Sequence, residues 1–103
     1  MITRETQPLD IAAQILKPET IQSVKRSPSY HYHGWKILDR WAFNSPEKLL
    51  AMEAEGEILL LIRLLEQQDL EFEILMDLKS SEQRRNGLTE YEILAMHEIN
   101  TEL

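Results

Sequence analysis

Hydrophobic positions recur at helical spacing through most of the chain, and prolines divide its first half into short pieces. The four prolines stand at positions 8, 18, 28 and 46, and none follows. Proline fits only a loop or the first turn of a helix. The spacing of the apolar residues therefore predicts three short helices before residue 46, over about 8–16, 18–26 and 35–43.

The second half opens with the clearest helix start in the sequence, Asn44-Ser45-Pro46-Glu47. Only Gly56 interrupts the following residues, so a single helix is predicted over about 46–67. Its apolar face is predicted to hold Leu50, Ala54, Ile58, Leu61 and Leu65. Residues 58–65 are apolar on most sides, which indicates either a central buried helix or half of an oligomer interface.

Two segments fit more than one structure. Apolar and acidic residues nearly alternate over 70–78, as in a strand, but Leu70, Ile74 and Leu78 also fit a helix. Composition favours a helix there, with Asp69 as its cap. The segment 29–34 is expected to be an extended loop. A capping box from Thr89 to Glu92 predicts a last helix ending near residue 100.

These elements predict an all-α fold, a small bundle of two longer and several short helices. A short extended segment near 29–34 or 70–78 is the alternative. The 103 residues suit a single domain spanning 1–103. A hydrophobic content of 43% is typical of a chain that folds around a core.

Charge and aromatic residues divide the domain into two parts. The front, residues 1–44, has six Lys and Arg against four Asp and Glu, whereas the back, 45–103, has five against fourteen. Five of the seven aromatic residues lie within 30–43. Of these, Trp35, Trp41 and Phe43 are expected in the core because large rings bury much area. The net charge of −7 makes nucleic acid an unfavourable partner.

Several classes of chemistry find no residues to carry them. The chain has no cysteine, and its three glycines cannot form a phosphate-binding loop. No nucleophile motif or dinucleotide fingerprint occurs, so we expect no enzyme activity, no cofactor and no small-molecule substrate. The first residues lack the pattern of a secretory signal, and the longest apolar run, Ile58–Ile62, is too short to cross a membrane. The expected location is the cytoplasm.

The histidines are the only candidates for a metal site. His31 and His33 share one side of an extended segment, a spacing that metals use, but a competent site needs further ligands. The only distant candidates are His97 and the C-terminal carboxylates. We therefore expect no bound metal.

Two surfaces are predicted to bind a partner. Four successive polar-tipped rings cannot all point inward, so the first surface is the aromatic segment, with Tyr30, His31, Tyr32, His33 and Trp35. The second is an acidic helix face around Glu53 and Glu57, whose like charges are four residues apart and call for a cation.

These features favour a non-enzymatic protein-interaction module, such as a small adaptor, an assembly factor or an inhibitor or immunity-type partner. The expected partner is another protein, a second copy of the chain, or both. The first alternative is a dimeric nucleic-acid-associated regulator using Lys25 and Arg26 of the weakly basic front. The second is a small metal-binding protein or enzyme using His31 and His33.

Overall fold

Seven α-helices follow one another in the computed structural model, which describes residues 8–103 except for the side chains of residues 78–81. The helices are α1 (Asp10–Ile15), α2 (Pro18–Arg26), α3 (Tyr32–Asn44), α4 (Pro46–Glu55), α5 (Glu57–Leu75), α6 (Leu78–Arg85) and α7 (Glu90–Met96). No strand occurs within residues 8–103. The predicted all-α bundle is thus confirmed, with α3 and α5 as its two longer helices.

Two helices start at prolines, and a side chain distant in sequence caps a third helix. Pro18 and Pro46 occupy first helical turns, as predicted. The short α1 has no side-chain cap of its own residues. Instead the carboxylate of Asp39, in α3, accepts the backbone N–H of Leu9 at 2.7 Å and of Ala12 at 2.8 Å. Capping therefore also fastens α1 to α3.

Helix α3 begins three residues earlier than predicted. The Nδ1 atom of His31 accepts the backbone N–H of His33 at 3.3 Å, so His31 caps the helix. Residues 32–34 are consequently helical, and the expectation of an extended loop through 29–34 is wrong for them. Histidine is not among the preferred cap residues, which is why the sequence pattern missed this start.

The single helix predicted over 46–67 is wrong, because Gly56 divides it into α4 and α5. Gly56 has φ 149° and ψ 133°, a backbone conformation that residues with a side chain rarely adopt. The buried side of the second piece differs from the predicted apolar face. Leu60 and Leu64 are buried, whereas Ile58, predicted on the apolar face, is 71% exposed.

Helix α5 continues without a break through the segment predicted to be a separate helix. The choice of helix over strand is confirmed for residues 70–75, but Asp69 lies inside α5 and caps nothing. Residues 76 and 77 form a turn before α6. The capping box at Thr89 is confirmed, whereas α7 ends at Met96 rather than near residue 100.

The core lies around α3 and α5, which pack against each other. Trp41 is fully buried as predicted, Trp35 is half-buried, and Phe43 is 74% exposed, so the prediction for Phe43 is wrong. A smaller apolar cluster joins the end of α5 to α7 through Leu75, Ile93 and Leu94. None of the helices in the described residues has the length and hydropathy needed to cross a membrane.

The sign of one substitution distinguishes the divided helix from a continuous one. We expect Gly56→Ala to lower the free energy of unfolding by about 1–3 kcal/mol, because alanine is strained at φ 149°. In an uninterrupted helix the same change would raise stability by about 1 kcal/mol. Urea unfolding measures the change in the free energy of unfolding. Ala51→Gly, at an exposed position of α4, measures the cost of glycine within a helix of this protein. A more stable Gly56→Ala variant would contradict the break.

Candidate functional site

The aromatic segment lies against α5 and is held there by hydrogen bonds. The Tyr30 hydroxyl donates to the backbone carbonyl of Leu61. The side-chain amide of Gln68 accepts the backbone N–H of His31 at 3.1 Å and donates to the carbonyl of Ser29 at 2.9 Å. Gln68 therefore supplies hydrogen-bond partners for the N–H of His31 and the carbonyl of Ser29, which lie between helices and have no helical partner.

The absence of a side chain at Gly34 makes room for this contact. Gly34 lies buried in the first turn of α3. A Cβ atom at this position would stand 2.0 Å from Oε1 of Gln68, well inside van der Waals contact. Glycine thus allows α3 to approach the amide that holds the aromatic segment.

The five residues predicted as a partner-binding segment divide between the interior and the surface. Tyr30 and His33 are buried, Trp35 is half-buried, and His31 and Tyr32 are exposed. The indole N–H of Trp35 is buried and has no hydrogen-bond partner among the described residues. Of the five, only His31 and Tyr32 are therefore largely open to solvent.

Beneath this segment a fully buried carboxylate connects α3 to α5. Glu71 accepts a bidentate pair of hydrogen bonds from Arg40, at 2.7 Å from Nη1 and 2.9 Å from Nη2. Nε2 of His33 lies 2.9 Å from the same carboxylate, and the amide of Gln67 donates to it at 2.6 Å. The two oxygens thus receive four contacts, the condition under which a buried carboxylate remains ionised.

The same network holds the C-terminal residues. The carbonyl of Thr101 accepts from Nη1 of Arg40 at 3.0 Å and from Nε1 of Trp41 at 2.9 Å. The amide of Gln67 also donates to the carbonyl of Asn100 at 2.9 Å. Since residues 97–103 are not helical, these donors replace the helix bonds that their carbonyls lack.

Opposing effects set the pKa of Glu71. Burial alone would raise the pKa, but the hydrogen bonds from His33, Arg40 and Gln67, together with the charge of Arg40, lower it to about 2. Because this folded-state pKa lies below the ordinary 4.5, ionisation of Glu71 stabilises the fold above about pH 4.5. The stabilisation is lost as the pH falls toward 2.

The predicted acidic helix face does not form, because Glu53 and Glu57 lie on different helices. Glu53 is buried near the end of α4 and accepts the backbone N–H of Lys17 at 2.9 Å. Glu57 starts α5 and accepts the hydroxyl of Ser23 at 2.9 Å. Both carboxylates thus fasten α2 to the rest of the bundle, and the expectation that they share one helix face is wrong.

The exposed side of α5, with the residue that follows it, carries a regularly spaced series of five apolar residues and one acidic residue, which we term the α5 stripe and which the predicted site did not include. Its positions follow the alternating spacing of four and three that one side of a helix presents to another helix. They are Ile58, Ile62, Leu65, Asp69, Phe72 and Met76. Ile58 is 71% exposed, Met76 54% and Ile62 53%. The ring of His31 lies 4.8 Å from that of Phe72, which joins the aromatic segment to the stripe.

The remaining candidate groups are dispersed or already occupied. Lys25 and Arg26 are exposed at the end of α2. Arg84 in α6 donates to the carbonyl of Leu75 at the end of α5. Within the described part of the chain, no three His, Asp or Glu side chains come together as metal ligands do. Nε2 of His33 is already engaged by Glu71.

The sequence contained one signal of the buried network. Gln67, Gln68 and Glu71 share the helical spacing of Leu60, Leu64 and Leu75, so a polar block interrupts the apolar residues along one side of α5. Their partners Arg40 and His33 lie more than thirty positions away in the sequence. No local pattern could have paired them.

Glu71 gives a pH-dependent prediction. Glu71→Gln is expected to lower the free energy of unfolding at pH 7 by about 3–5 kcal/mol, because it leaves the Arg40 charge without its partner. The difference in unfolding free energy between wild type and variant should shrink by about 3 kcal/mol as the pH falls from 4.5 to 2, because the wild-type carboxylate becomes protonated. Urea unfolding across that range measures the gap. Exposed Glu66→Gln is the control, and a gap that does not change with pH would contradict the buried ion pair.

A double-mutant cycle tests the contact between Gly34 and Gln68. Gly34→Ala alone should destabilise the protein by about 1–3 kcal/mol, because the new methyl group displaces the Gln68 amide. In a Gln68→Ala background the clash is gone, and the same change should stabilise the helix by up to about 1 kcal/mol. Thermal and urea unfolding of the four proteins give the coupling. Equal effects in both backgrounds would rule out the close approach.

The chain matches no protein-family model, no curated protein and no solved structure. Any functional conclusion therefore rests on the residues and their geometry.

Proposed function

We propose that this chain is a non-enzymatic protein-interaction module that docks on its partner through the α5 stripe. The observation that carries the proposal is the orientation of α5. The helix buries Gln67, Gln68 and Glu71 and leaves Ile58 and Ile62 in solvent. Fully burying an isoleucine contributes about 1.5–3 kcal/mol, so a partner that covered these side chains would gain binding free energy from their burial.

The regular spacing supports docking over chance exposure. Single exposed apolar residues are common on protein surfaces. Here Ile58, Ile62, Phe72 and Met76 recur on one side of a helix five turns long, with half-buried Leu65 between them. Clustered exposed apolar residues are typical of an interaction site, and Asp69 is the one acidic position among these.

The internal chemistry supports a non-enzymatic role. A general acid or base must reach the proton that it transfers. The closest histidine–carboxylate contact, His33 with Glu71, is buried, and the carboxylate is saturated by Arg40 and Gln67. These hydrogen bonds hold α3 to α5, which supports a role for both groups in stabilising the fold.

Site-specific cross-linking in the native host tests the docking surface. A photo-reactive residue replaces Ile62 or, as a matched exposed apolar control, Phe43 on α3. We expect a discrete protein adduct from position 62 and none from position 43. The adduct identifies the partner, and its affinity is then measured for variants of the unlabelled chain.

The variants separate docking from folding. Ile62→Ser combined with Phe72→Ser should weaken partner binding at least about tenfold, whereas Phe43→Ser should leave it unchanged. Because the three side chains are exposed, none of these changes should lower the melting temperature appreciably. Absence of an adduct at position 62, or equal losses from both sets of variants, would refute the proposal.

A further inference from the structure

Resting on the proposed docking function, we propose further that the segment received by the α5 stripe is a basic amphipathic α-helix of another protein. Its apolar residues would lie on the stripe and its lysines or arginines beside Glu66, Asp69 and Glu73. The spacing, charge and borders of the stripe each support this occupant.

The spacing of the stripe fits a helix. Six positions from Ile58 to Met76 alternate by four and three residues, as do the positions at which two helices meet. They extend over about 27 Å at 1.5 Å per residue, so a partner helix of about 18–20 residues would cover them. A partner extended as a strand needs an open sheet edge, and residues 8–103 contain no strand.

The charge on the stripe is negative and unanswered within the described part of the chain. Asp69 lies in the stripe, and Glu66 and Glu73 lie beside it, three and four residues away, all exposed. Like charges at these spacings destabilise a helix unless a cation balances them. Arg63, the only basic residue between 57 and 77, instead places its guanidinium 5.0 Å from the Trp41 ring centre and donates to Gln67 at 2.8 Å.

The two borders of the stripe differ. At 100° per residue, Leu61 and Gln68, which hold the aromatic segment, lie on one side of the stripe, and Glu66 and Glu73 lie on the other. One border therefore presents the exposed ring of His31, which contacts Phe72. A helix seated between them meets an aromatic border on one side and a carboxylate border on the other.

Charge favours a different protein over a second copy of this chain. Two α5 stripes facing each other would bring six carboxylates to one interface, Glu66, Asp69 and Glu73 from each copy, with no stripe cation to pair them. Repulsion of this kind is a recognised means of rejecting a wrong partner. A basic helix replaces it with attraction.

Three synthetic peptides of about 21 residues provide the probe. Each carries leucine at the two interface positions of every heptad, with lysine, glutamine or glutamate at the flanking positions. We expect the lysine peptide to bind at least about tenfold more tightly than the glutamine peptide, with its advantage shrinking as salt is raised, and the glutamate peptide to bind weakest. Fluorescence anisotropy at fixed pH measures the affinities.

A charge-matched pair of variants locates the effect. Neutralising the stripe with Glu66→Gln, Asp69→Asn and Glu73→Gln should remove the lysine preference. The control variant carries Glu19→Gln, Glu55→Gln and Glu82→Gln at exposed positions outside the stripe. It changes the net charge by the same amount and should keep the lysine preference. Ile62→Ser should weaken binding of every peptide, and the lysine peptide should displace the partner that cross-links at position 62.

The outcomes distinguish this inference from the docking proposal. Equal binding of the lysine and glutamine peptides, both lost in Ile62→Ser, would overturn the basic helix and leave the docking surface standing. So would a position-62 adduct of the chain with itself, accompanied by a dimer in light scattering. A position-62 partner whose cross-linked segment is acidic or non-helical would overturn it as well. Failure of cross-linking at position 62 instead removes the docking surface itself.

Discussion

The buried carboxylate of Glu71 is the interaction on which the arrangement of the bundle depends. It lies in α5, it is held by Arg40 and His33 from α3, and Arg40 also binds the carbonyl of Thr101 near the C-terminus. An ionised group inside a protein is tolerated only with complete hydrogen bonding, so these partners must keep their places together. Three parts of the chain distant in sequence are thereby fixed relative to one another.

The exposed stripe is a consequence of that burial. Only one side of a helix at the edge of a bundle packs against the core, and in α5 that side contains Gln67, Gln68 and Glu71. Ile58 and Ile62 are then turned to solvent by the geometry of the helix. The buried side also contains Leu60, Leu64 and Leu75, so α5 has a mixed polar and apolar buried side and uncovered apolar residues outside, which a partner surface would explain.

The aromatic segment has a role at the border of this surface. Gln68 pairs with the backbone of His31 and Ser29, and Gly34 leaves the space that the amide needs. Tyr30 and His33 turn inward, whereas the ring of His31 reaches Phe72. Of the residues predicted to bind a partner, Tyr30 and His33 thus hold the segment on α5, and only His31 and Tyr32 are exposed.

The sequence by itself determined the helical class, the helix starts at Pro18 and Pro46, and the capping box at Thr89, because each depends on residues within one turn. It could not determine that Gly56 breaks the long helix, since glycine is compatible with either structure. Nor could it pair Glu71 with Arg40, 31 positions away. Only the tertiary structure decided which side of α5 is buried, because that choice depends on contacts with residues distant in sequence, such as Arg40 in α3.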